Sequence, residues 1–209
     1  DDKVMSCLDG KQRMAVTAAL KEDLPEALGF IESSVTRMDQ FTSAVLMLAR
    51  LGRRDLDFEL LDMDSLTKTI LDSLAHQIGD QEIEVTVAPL AQVVADHTSM
   101  EQIMGNLLSN AVNYIGTERP RKIEISAERS DDETTFFIRD NGRGIRQEDM
   151  PKVFAPFRRA GKQDKPGEGM GLAYVQTLVR RHGGRIWCES EFGVGTRFAF
   201  TISNYLAKG

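Results

Sequence analysis

Three short motifs rich in asparagine or glycine follow one another in a fixed order, and they constrain this chain more than any other feature. Residues 106–111 read Asn-Leu-Leu-Ser-Asn-Ala, residues 140–145 read Asp-Asn-Gly-Arg-Gly-Ile, and residues 167–173 read Gly-Glu-Gly-Met-Gly-Leu-Ala. Glycines at such spacing let the backbone turn sharply and approach another group closely. Together the motifs offer amide oxygens, a carboxylate and backbone N–H groups. These groups suit a metal, a base and phosphates, so the three motifs predict a site for one nucleotide.

The charge distribution limits the partners of the chain. Its 209 residues carry a net charge of −6 and no basic face dominates, which argues against general nucleic-acid binding. One segment is an exception, because residues 139–165 hold eight Lys or Arg against four Asp or Glu, a local balance of 8 − 4 = +4. A basic segment across two glycine motifs suits a polyphosphate ligand. A solvated loop with scattered charges is the alternative.

Cysteine usage and hydropathy indicate neither a disulfide framework nor a membrane span. Cys7 and Cys188 are far apart in the sequence and lack the spacing of a redox pair, which favours a reducing compartment. No apolar run reaches about 18 residues, the length that a membrane-spanning helix needs. We therefore expect no membrane segment and a cytoplasmic location. Because the chain begins with Asp1, we also expect it to be a fragment or a processed product.

A long amphipathic helix is predicted over residues 23–51. Apolar or small residues recur there at alternating steps of four and three: Leu24, Leu28, Ile31, Val35, Met38, Thr42, Val45 and Ala49. This heptad seam cannot be buried by a single helix, which needs a hairpin partner, a second subunit or both. We therefore predict a homodimer through a helical region over residues 1–61, followed by a second domain over residues 62–209.

The second domain is predicted to contain both helices and strands. Asp64 is expected to cap a helix that runs to about Gln77. Two further helices are predicted over residues 100–115 and 169–182, the latter ending before Gly183-Gly184. Side-chain alternation and apolar runs predict strands over residues 82–87, 91–95, 122–128, 134–139, 185–190 and 196–202.

Three asparagines share one face of the predicted helix over residues 100–115. Asn106, Asn110 and Asn113 are spaced at i, i+4 and i+7. Amides on one stripe are costly to bury unless something satisfies them. A hydrated magnesium ion that bridges phosphates would do so, because it prefers oxygen ligands. A polar stripe that faces solvent is the alternative.

The two glycine motifs suit the base and the phosphates of a nucleotide. Asp140 ends a predicted strand, and Gly142 and Gly144 after it leave room for a flat base to approach. The glycines that follow Gly167 open a helix whose free N–H groups favour phosphate. Taken alone, the first motif is more often an ordinary turn. The second matches neither the dinucleotide fingerprint nor the P-loop, so the ordered set carries the prediction.

Residues 62–203 resemble the catalytic ATP-binding domain of sensor histidine kinases, whose ATPase superfamily includes gyrase, a heat-shock chaperone and a mismatch-repair protein. Five boxes in order carry the resemblance: an asparagine box over Glu101–Tyr114, a glycine box over Asp140–Ile145, Phe154-Ala155-Pro156-Phe157, a second glycine box over Gly167–Leu172, and Gly193-Val194-Gly195-Thr196. The helix over residues 23–51 is similar to the second helix of the family's dimerisation and phosphoacceptor hairpin. The resemblance implies an α+β fold, a two-layer α/β sandwich preceded by a long helix of a dimeric bundle.

The resemblance also implies residue roles. It makes Asn110 a direct ligand of Mg²⁺ with Asn106 in support, and it gives the adenine amino group to Asp140. Residues 146–166 would form a mobile lid packed by Phe154 and Phe157, although both rings could simply be core. The residues expected to bind ATP are Asn106, Asn110, Asn113, Tyr114, Asp140, Gly142, Gly144, Ile145, Phe157, Arg158, Arg159, Gly167, Gly169, Gly171, Leu172 and Thr196.

Two departures from the family pattern bear on function. Asn113 occupies a position that is often Lys or Arg in the family, and the lid arginines could substitute for it. The resemblance places an acceptor histidine near the start of the chain or just before it, yet residues 1–75 contain none. The three histidines are His76, His97 and His182. We expect His182, just before Gly183-Gly184, to be a helix cap.

Three functions remain open at this stage. The chain could be a kinase core that passes the γ-phosphoryl of Mg·ATP to a histidine outside it, and from there to a response-regulator receiver domain. Asn106 favours such transfer, because relatives that hydrolyse ATP carry a glutamate there as base for water. The chain could instead be an acceptor-less, nucleotide-gated scaffold. It could also be a serine kinase of the anti-sigma type, which the long N-terminal helix disfavours.

Overall fold

The chain divides into two compact units. A computed structural model describes residues 9–12, 14, 19–53, 55–116, 120–157 and 169–206. The first unit ends at Arg50 and the second begins at Leu51. This division comes earlier than the boundary after residue 61 expected from the sequence, and a strand that precedes residue 62 belongs to the second unit through its pairing. None of the helices in the described ranges is long and apolar enough to cross a membrane.

The first unit is dominated by one long helix. A π-helical turn over Ala19–Asp23 leads into α1, Leu24–Arg53, close to the predicted range of 23–51. Its seam residues Leu24, Leu28, Ile31, Val35 and Met38 are each between 49% and 69% exposed. The side chains of Val45 and Ala49, which continue the predicted seam, lie outside the described residues, as does Cys7. The seam is thus apolar and uncovered within the described part of a single chain.

The second unit is built on a five-stranded sheet. Its strands are β2 (Glu84–Val87), β4 (Lys122–Arg129), β5 (Glu133–Asp140), β6 (Ile186–Glu191) and β7 (Gly195–Ser203). They lie in the order β2-β4-β5-β7-β6 across the sheet. The β2–β4 pair is parallel and the other pairs are antiparallel. A separate antiparallel pair joins β1 (Phe58–Leu61) to β3 (Val93–Asp96).

The helices of the second unit are α2 (Met63–Ser73), α3 (Ala75–Asp80), α4 (His97–Asn113) and α5 (Gly171–Arg181). Of these, α4 and α5 contact the sheet, through β5 and β7. α4 contacts α2, α5 and β5, and its apolar residues Ile103, Met104, Leu107 and Leu108 are fully buried. The facing side of the sheet contributes Ile123, Ile125, Phe136, Ile138, Phe198, Phe200 and Ile202. The apolar core between these layers confirms the α+β, two-layer fold.

Two details of the second unit differ from the sequence-based expectation. Asp62, not Asp64, caps α2: its carboxylate accepts hydrogen bonds from the backbone N–H groups of Asp64 and Ser65 at 3.0 and 3.3 Å. Asp64 lies in the first turn, and its carboxylate instead accepts from Leu90 N at 3.1 Å. The helix expected through Gln77 is also divided, because α2 ends at Ser73 and α3 begins at Ala75.

Candidate functional site

The asparagine stripe lies on α4, a helix whose N-terminus is capped. Asp96 caps the helix by accepting from Ser99 N at 2.8 Å and Ser99 Oγ at 2.6 Å. Asn106, Asn110 and Asn113 are all half-buried on the face beside the apolar stripe. Asn106 donates through Nδ2 to the backbone oxygen of Gln102 at 2.8 Å, and Asn113 donates to Ser109 Oγ at 3.1 Å. The stripe is therefore neither core nor freely solvated surface.

Asp140 is a buried carboxylate at the end of β5. It is only 6% exposed, and its Oδ1 accepts a hydrogen bond from Gly142 N at 2.8 Å. Burial raises the pKa of Asp140 to about 6, against the opposing effect of backbone N–H donors at Gly142 and Thr196. A buried carboxyl with few partners of its own is suited to receive a donor from a ligand.

Gly142 joins the Asp140 turn to the end of α4. A Cβ at this position would overlap the backbone oxygen of Tyr114 and lie 2.7 Å from Asp140 Oδ1. The turn is also tied to α4 by a hydrogen bond from Arg143 N to Tyr114 O at 3.1 Å. The Arg143 guanidinium lies over the Tyr114 ring, 4.3 Å from its centroid. The first glycine box is therefore in direct contact with the end of the asparagine box.

The second glycine box meets the asparagine stripe at the start of α5. A Cβ on Gly171 would lie 2.5 Å from Asn106 Oδ1, so the Asn106 amide oxygen lies directly against the start of α5. Among the described residues, no side chain at the N-cap position Met170 caps α5, and the N–H groups at the start of a helix suit an anion. Leu172 follows, half-buried. This contact brings the predicted metal and phosphate groups together.

The strand pair β6–β7 closes the other side of the Asp140 turn. Thr196 is buried and is the register partner of Asp140. Ser190 Oγ connects three backbone segments: it accepts from Ile145 N, donates to Gly195 O, both at 2.8 Å, and lies 2.9 Å from Thr196 Oγ1. Sequence reasoning missed Ser190. Its position opposite Thr196 in the predicted strand pair was the available signal.

The segment predicted to be a lid, residues 146–166, is described from residue 146 to residue 157. Phe154 makes an edge-on contact with Phe198 in β7, with ring centroids 6.4 Å apart. Phe157 has a left-handed φ of 61°, and its N–H donates to Gly169 O at 3.1 Å, just before the start of α5. Arg158, Arg159 and Gly167 lie outside the described residues. Their predicted roles, like the mobility of the lid, stay predictions.

The histidines lie in three different settings. His182 is the C-cap of α5, as expected, and its ring is fully buried. Nδ1 lies 2.8 Å from Leu178 O and Nε2 accepts from Asp96 N at 3.1 Å, an arrangement that requires a neutral ring. Burial accordingly lowers the pKa of His182. His76 is exposed beside Asp80, at 3.1 Å, and His97 begins α4.

Comparison with known proteins identifies the family. The model for "Histidine kinase-, DNA gyrase B-, and HSP90-like ATPase" matches residues 95–205, more than half of the chain. Cyanobacterial phytochrome A of Nostoc sp. is 34% identical over 184 residues, which cover 88% of this chain and 24% of that protein. Methanogenesis regulatory histidine kinase FilI of Methanothrix harundinacea is 34% identical over 176 residues, covering 84% and 20%. The chain thus spans about a quarter of the length of such curated relatives.

Solved structures show the same relationship. Full-length ShkA in complex with AMPPNP is 27% identical with a TM-score of 0.67, covering 97% of this chain and 41% of that one. The catalytic domain of histidine kinase ThkA is 25% identical with a TM-score of 0.62, covering 71% of this chain and 99% of that one. With the motif geometry described above, these matches show that the chain belongs to the histidine kinase-, DNA gyrase B- and HSP90-like ATPase family and contains the ATP-binding catalytic domain of a sensor histidine kinase.

Proposed function

We propose that this chain binds Mg·ATP among the asparagine stripe of α4, the Asp140 turn and the start of α5, and transfers the γ-phosphoryl to a histidine outside the chain. The observation that carries the proposal is the contact between Asn106 Oδ1 and Gly171, which places an amide oxygen at the N-terminus of α5. Oxygen ligands suit Mg²⁺, and a helix N-terminus suits phosphate.

The groups present fit a hydrated magnesium ion. Asn106 and Asn110 provide amide oxygens on one half-buried face, and the start of α5 lies against that face. Mg²⁺ keeps several waters and takes few protein ligands when phosphates are present. We propose Asn110 as the direct ligand and Asn106 as its support. The metal would neutralise charge on the phosphates while the chain holds them in place.

Base recognition is proposed to rest on Asp140. Its carboxylate is buried and its Oδ1 is oriented by Gly142 N, so a further donor from the base would add to its hydrogen bonding. Tyr114 and Ile145 flank the same turn through the contacts of Gly142 and Ser190. An adenine amino group is the donor of the right polarity.

Transfer rather than hydrolysis is favoured by the side chain at position 106. Asn106 donates through Nδ2 to Gln102 O, and its neutral amide cannot act as a general base that activates water. Catalysis would then consist mainly of positioning and charge neutralisation. We propose that the phosphoryl group passes from the external histidine to a response-regulator receiver domain. A solved complex of ThkA with its response regulator TrrA supports this class of partner.

We further propose that the chain acts in the cytoplasm as a homodimer, joined through the uncovered seam of α1. The phosphoacceptor would come from outside the chain, because residues 1–75, where the resemblance would place it, contain no histidine. An acceptor-less scaffold is the second candidate, and the same observation favours it. Both candidates require nucleotide binding, and they differ in whether an added acceptor becomes labelled.

The test is incubation of the chain with γ-labelled Mg·ATP, with label followed on protein and as free phosphate. We expect saturable nucleotide binding, little phosphate release and no acid-labile label on the chain itself. An Asp140→Asn variant should bind ATP more weakly, and an Asp131→Asn variant in the exposed β4–β5 turn should match the wild type. Rapid phosphate release would contradict transfer, and acid-labile label on the chain would show that one of its three histidines is the acceptor.

Transfer itself is tested with a separately prepared histidine-containing helical hairpin from a curated relative such as FilI, added to this chain and labelled ATP. Label on the hairpin that requires this chain supports the kinase. Bound nucleotide without labelling of any added hairpin supports the scaffold instead.

A further inference from the structure

Tyr174 links the two helices that carry the asparagine and glycine boxes. It lies in the first turn of α5, where its backbone N–H donates to Met170 O at 3.0 Å, and its side chain is buried at 7% exposure. Its hydroxyl donates a hydrogen bond to Oε1 of Gln102, which is half-buried on α4. A buried hydroxyl is costly to leave without a partner, so this bond constrains how α4 and α5 face each other.

Gln102 in turn sets the direction of Asn106. The backbone oxygen of Gln102 accepts from Asn106 Nδ2 at 2.8 Å, one helical turn further along α4. With Nδ2 held there, Oδ1 must face the other way. That way is the start of α5, because a Cβ on Gly171 would lie 2.5 Å from Asn106 Oδ1. Gln102 therefore contacts Tyr174 through its side chain and Asn106 through its backbone.

We propose that Tyr174 is a positioning residue for the metal-supporting amide: through Gln102 it holds the α4–α5 spacing at which Asn106 Oδ1 faces the phosphate end of α5. The inference rests on the proposed function for the role of Asn106. Neither Tyr174 nor Gln102 needs to touch nucleotide. Removing a group that orients a metal ligand without touching the metal commonly lowers metal affinity by about 10- to 100-fold.

The test uses Tyr174→Phe, which deletes the hydroxyl and keeps the ring. ATP binding is measured by calorimetry in EDTA and across a titration of Mg²⁺. We expect the half-saturating Mg²⁺ concentration to rise about 10-fold, with ATP affinity in EDTA unchanged. A hydroxyl that served only stability would weaken binding to the same extent with and without metal, and that result would overturn the proposal.

A second readout needs no nucleotide. The side-chain Nδ2 protons of Asn106 in the free chain should shift or broaden by NMR in Tyr174→Phe, because the amide loses its fixed orientation. Unchanged Asn106 resonances would overturn the proposal whether or not the chain binds ATP. If the wild type binds no ATP while these resonances do shift, the proposed function fails and the positioning contact stands.

Two variants serve as control and second test. Thr177→Val removes a hydroxyl from the same helix, where Thr177 Oγ1 bonds only to Ala173 O at 3.1 Å among its described contacts, and it should leave both readouts unchanged. Gln102→Leu removes the acceptor of Tyr174 but keeps the backbone oxygen that holds Asn106. It should reproduce the Tyr174→Phe effect, and the double variant should be no worse than either single one. Independent, additive effects of the two substitutions would overturn the proposal. If Tyr174→Phe does not fold, the two readouts of Gln102→Leu alone test the proposal.

Discussion

Asp140 is expected to reduce stability at neutral pH because its charge is buried. Its folded pKa of about 6 lies above the ordinary value of 3.8, so the unfolded chain loses this proton first as pH rises. The free energy of unfolding therefore falls between pH 3.8 and about 6 and stays lower above that range. Relative to the wild type, the unfolding free energy of Asp140→Asn should be higher at pH 7.5 than at pH 4 by on the order of 2 kcal/mol. Urea unfolding at both pH values checks this, and Asp131→Asn should show no such gain.

The same carboxyl should make nucleotide affinity depend on pH. Below pH 6 Asp140 becomes protonated, and a charge-assisted hydrogen bond to the base is replaced by a weaker neutral one. We expect ATP affinity to fall about 10-fold between pH 7.5 and pH 5 beyond any change seen in Asp140→Asn. Calorimetry on both proteins across this range separates the carboxyl from titration of the phosphates. Parallel pH profiles for the two proteins would contradict the assigned role.

Gly142 tests whether the close approach of the two boxes is required. Gly142→Ala would place its Cβ against Tyr114 O and Asp140 Oδ1, and because one of these is backbone the turn itself must move. We expect ATP binding to be lost and unfolding free energy to drop by about 2 kcal/mol. Gly79→Ala on α3, with nothing within 4 Å, should gain up to about 1 kcal/mol instead. Thermal unfolding and ATP titration of both variants check this, and unimpaired binding in Gly142→Ala would be incompatible with the site.

Sequence reasoning predicted residues whose chemistry is local and missed those that act through tertiary contacts. The stripe with Asn106 and the glycines around Asp140 follow from spacing along the chain, and the structure brings them together. Ser190 and Tyr174 were missed because each matters through a partner distant in sequence, Ile145 and Gln102 respectively. No local pattern marks one serine in a strand or one tyrosine on a helix as a connecting group.

At the scale of elements, segments with a clear periodic or apolar pattern were predictable, including the four-residue strands β2 and β3. α1, α4 and the β4–β5 hairpin match their predicted ranges within a few residues. β1 was missed because its residues 58–61 follow closely on the long helical pattern, and its extended backbone depends on pairing with β3. The cap of α2 was assigned to Asp64 rather than Asp62 because both are acidic residues at the start of one apolar pattern, and only the folded backbone shows which one receives the free N–H groups.

His182 joins three elements, and its neutral ring predicts a second pH effect. The ring accepts from Asp96 at the start of α4, contacts Phe58 of β1 edge-on at 5.5 Å and ends α5. Its folded pKa lies below the ordinary 6.5, so the unfolded chain takes up a proton first as pH falls, and stability decreases below pH 6.5.

His182→Phe should remove that dependence and leave Asp96 N without its acceptor, at a cost of about 1 to 3 kcal/mol at pH 8. The measurement is urea unfolding at pH 5.5 and 8 in an Asp140→Asn background, where the opposing titration of Asp140 is absent. If adding His182→Phe to this background left the pH dependence of the unfolding free energy unchanged, the neutral-ring assignment would be contradicted. His76→Phe, at an exposed position on α3, is the matched control and should leave both values nearly unchanged.

At the scale of the whole molecule, the second unit buries its own core whereas the first exposes its apolar seam. Met63, Met100, Ile103 and Phe136 are fully buried within the second unit. Val35 and Ile31 on α1 remain at least 58% exposed. A heptad seam of this kind is stabilised when another helix covers it. The sequence predicted this asymmetry, since a seam identifies the need for a partner, and the homodimer that it also predicted stays a prediction.

We predict that a second copy of this chain covers the seam. Sedimentation of the wild type should show a dimer that dissociates on dilution. Val35→Glu should shift the chain to monomer, because each dimer would bury two charges where it had buried two valines, a change worth at least about 3 kcal/mol, or more than 100-fold in dissociation constant. Thr36→Glu adds the same charge at the neighbouring exposed position off the seam and should leave the dimer intact. A wild type that stays monomeric at every concentration, or equal effects of the two variants, would show that the seam is not the interface.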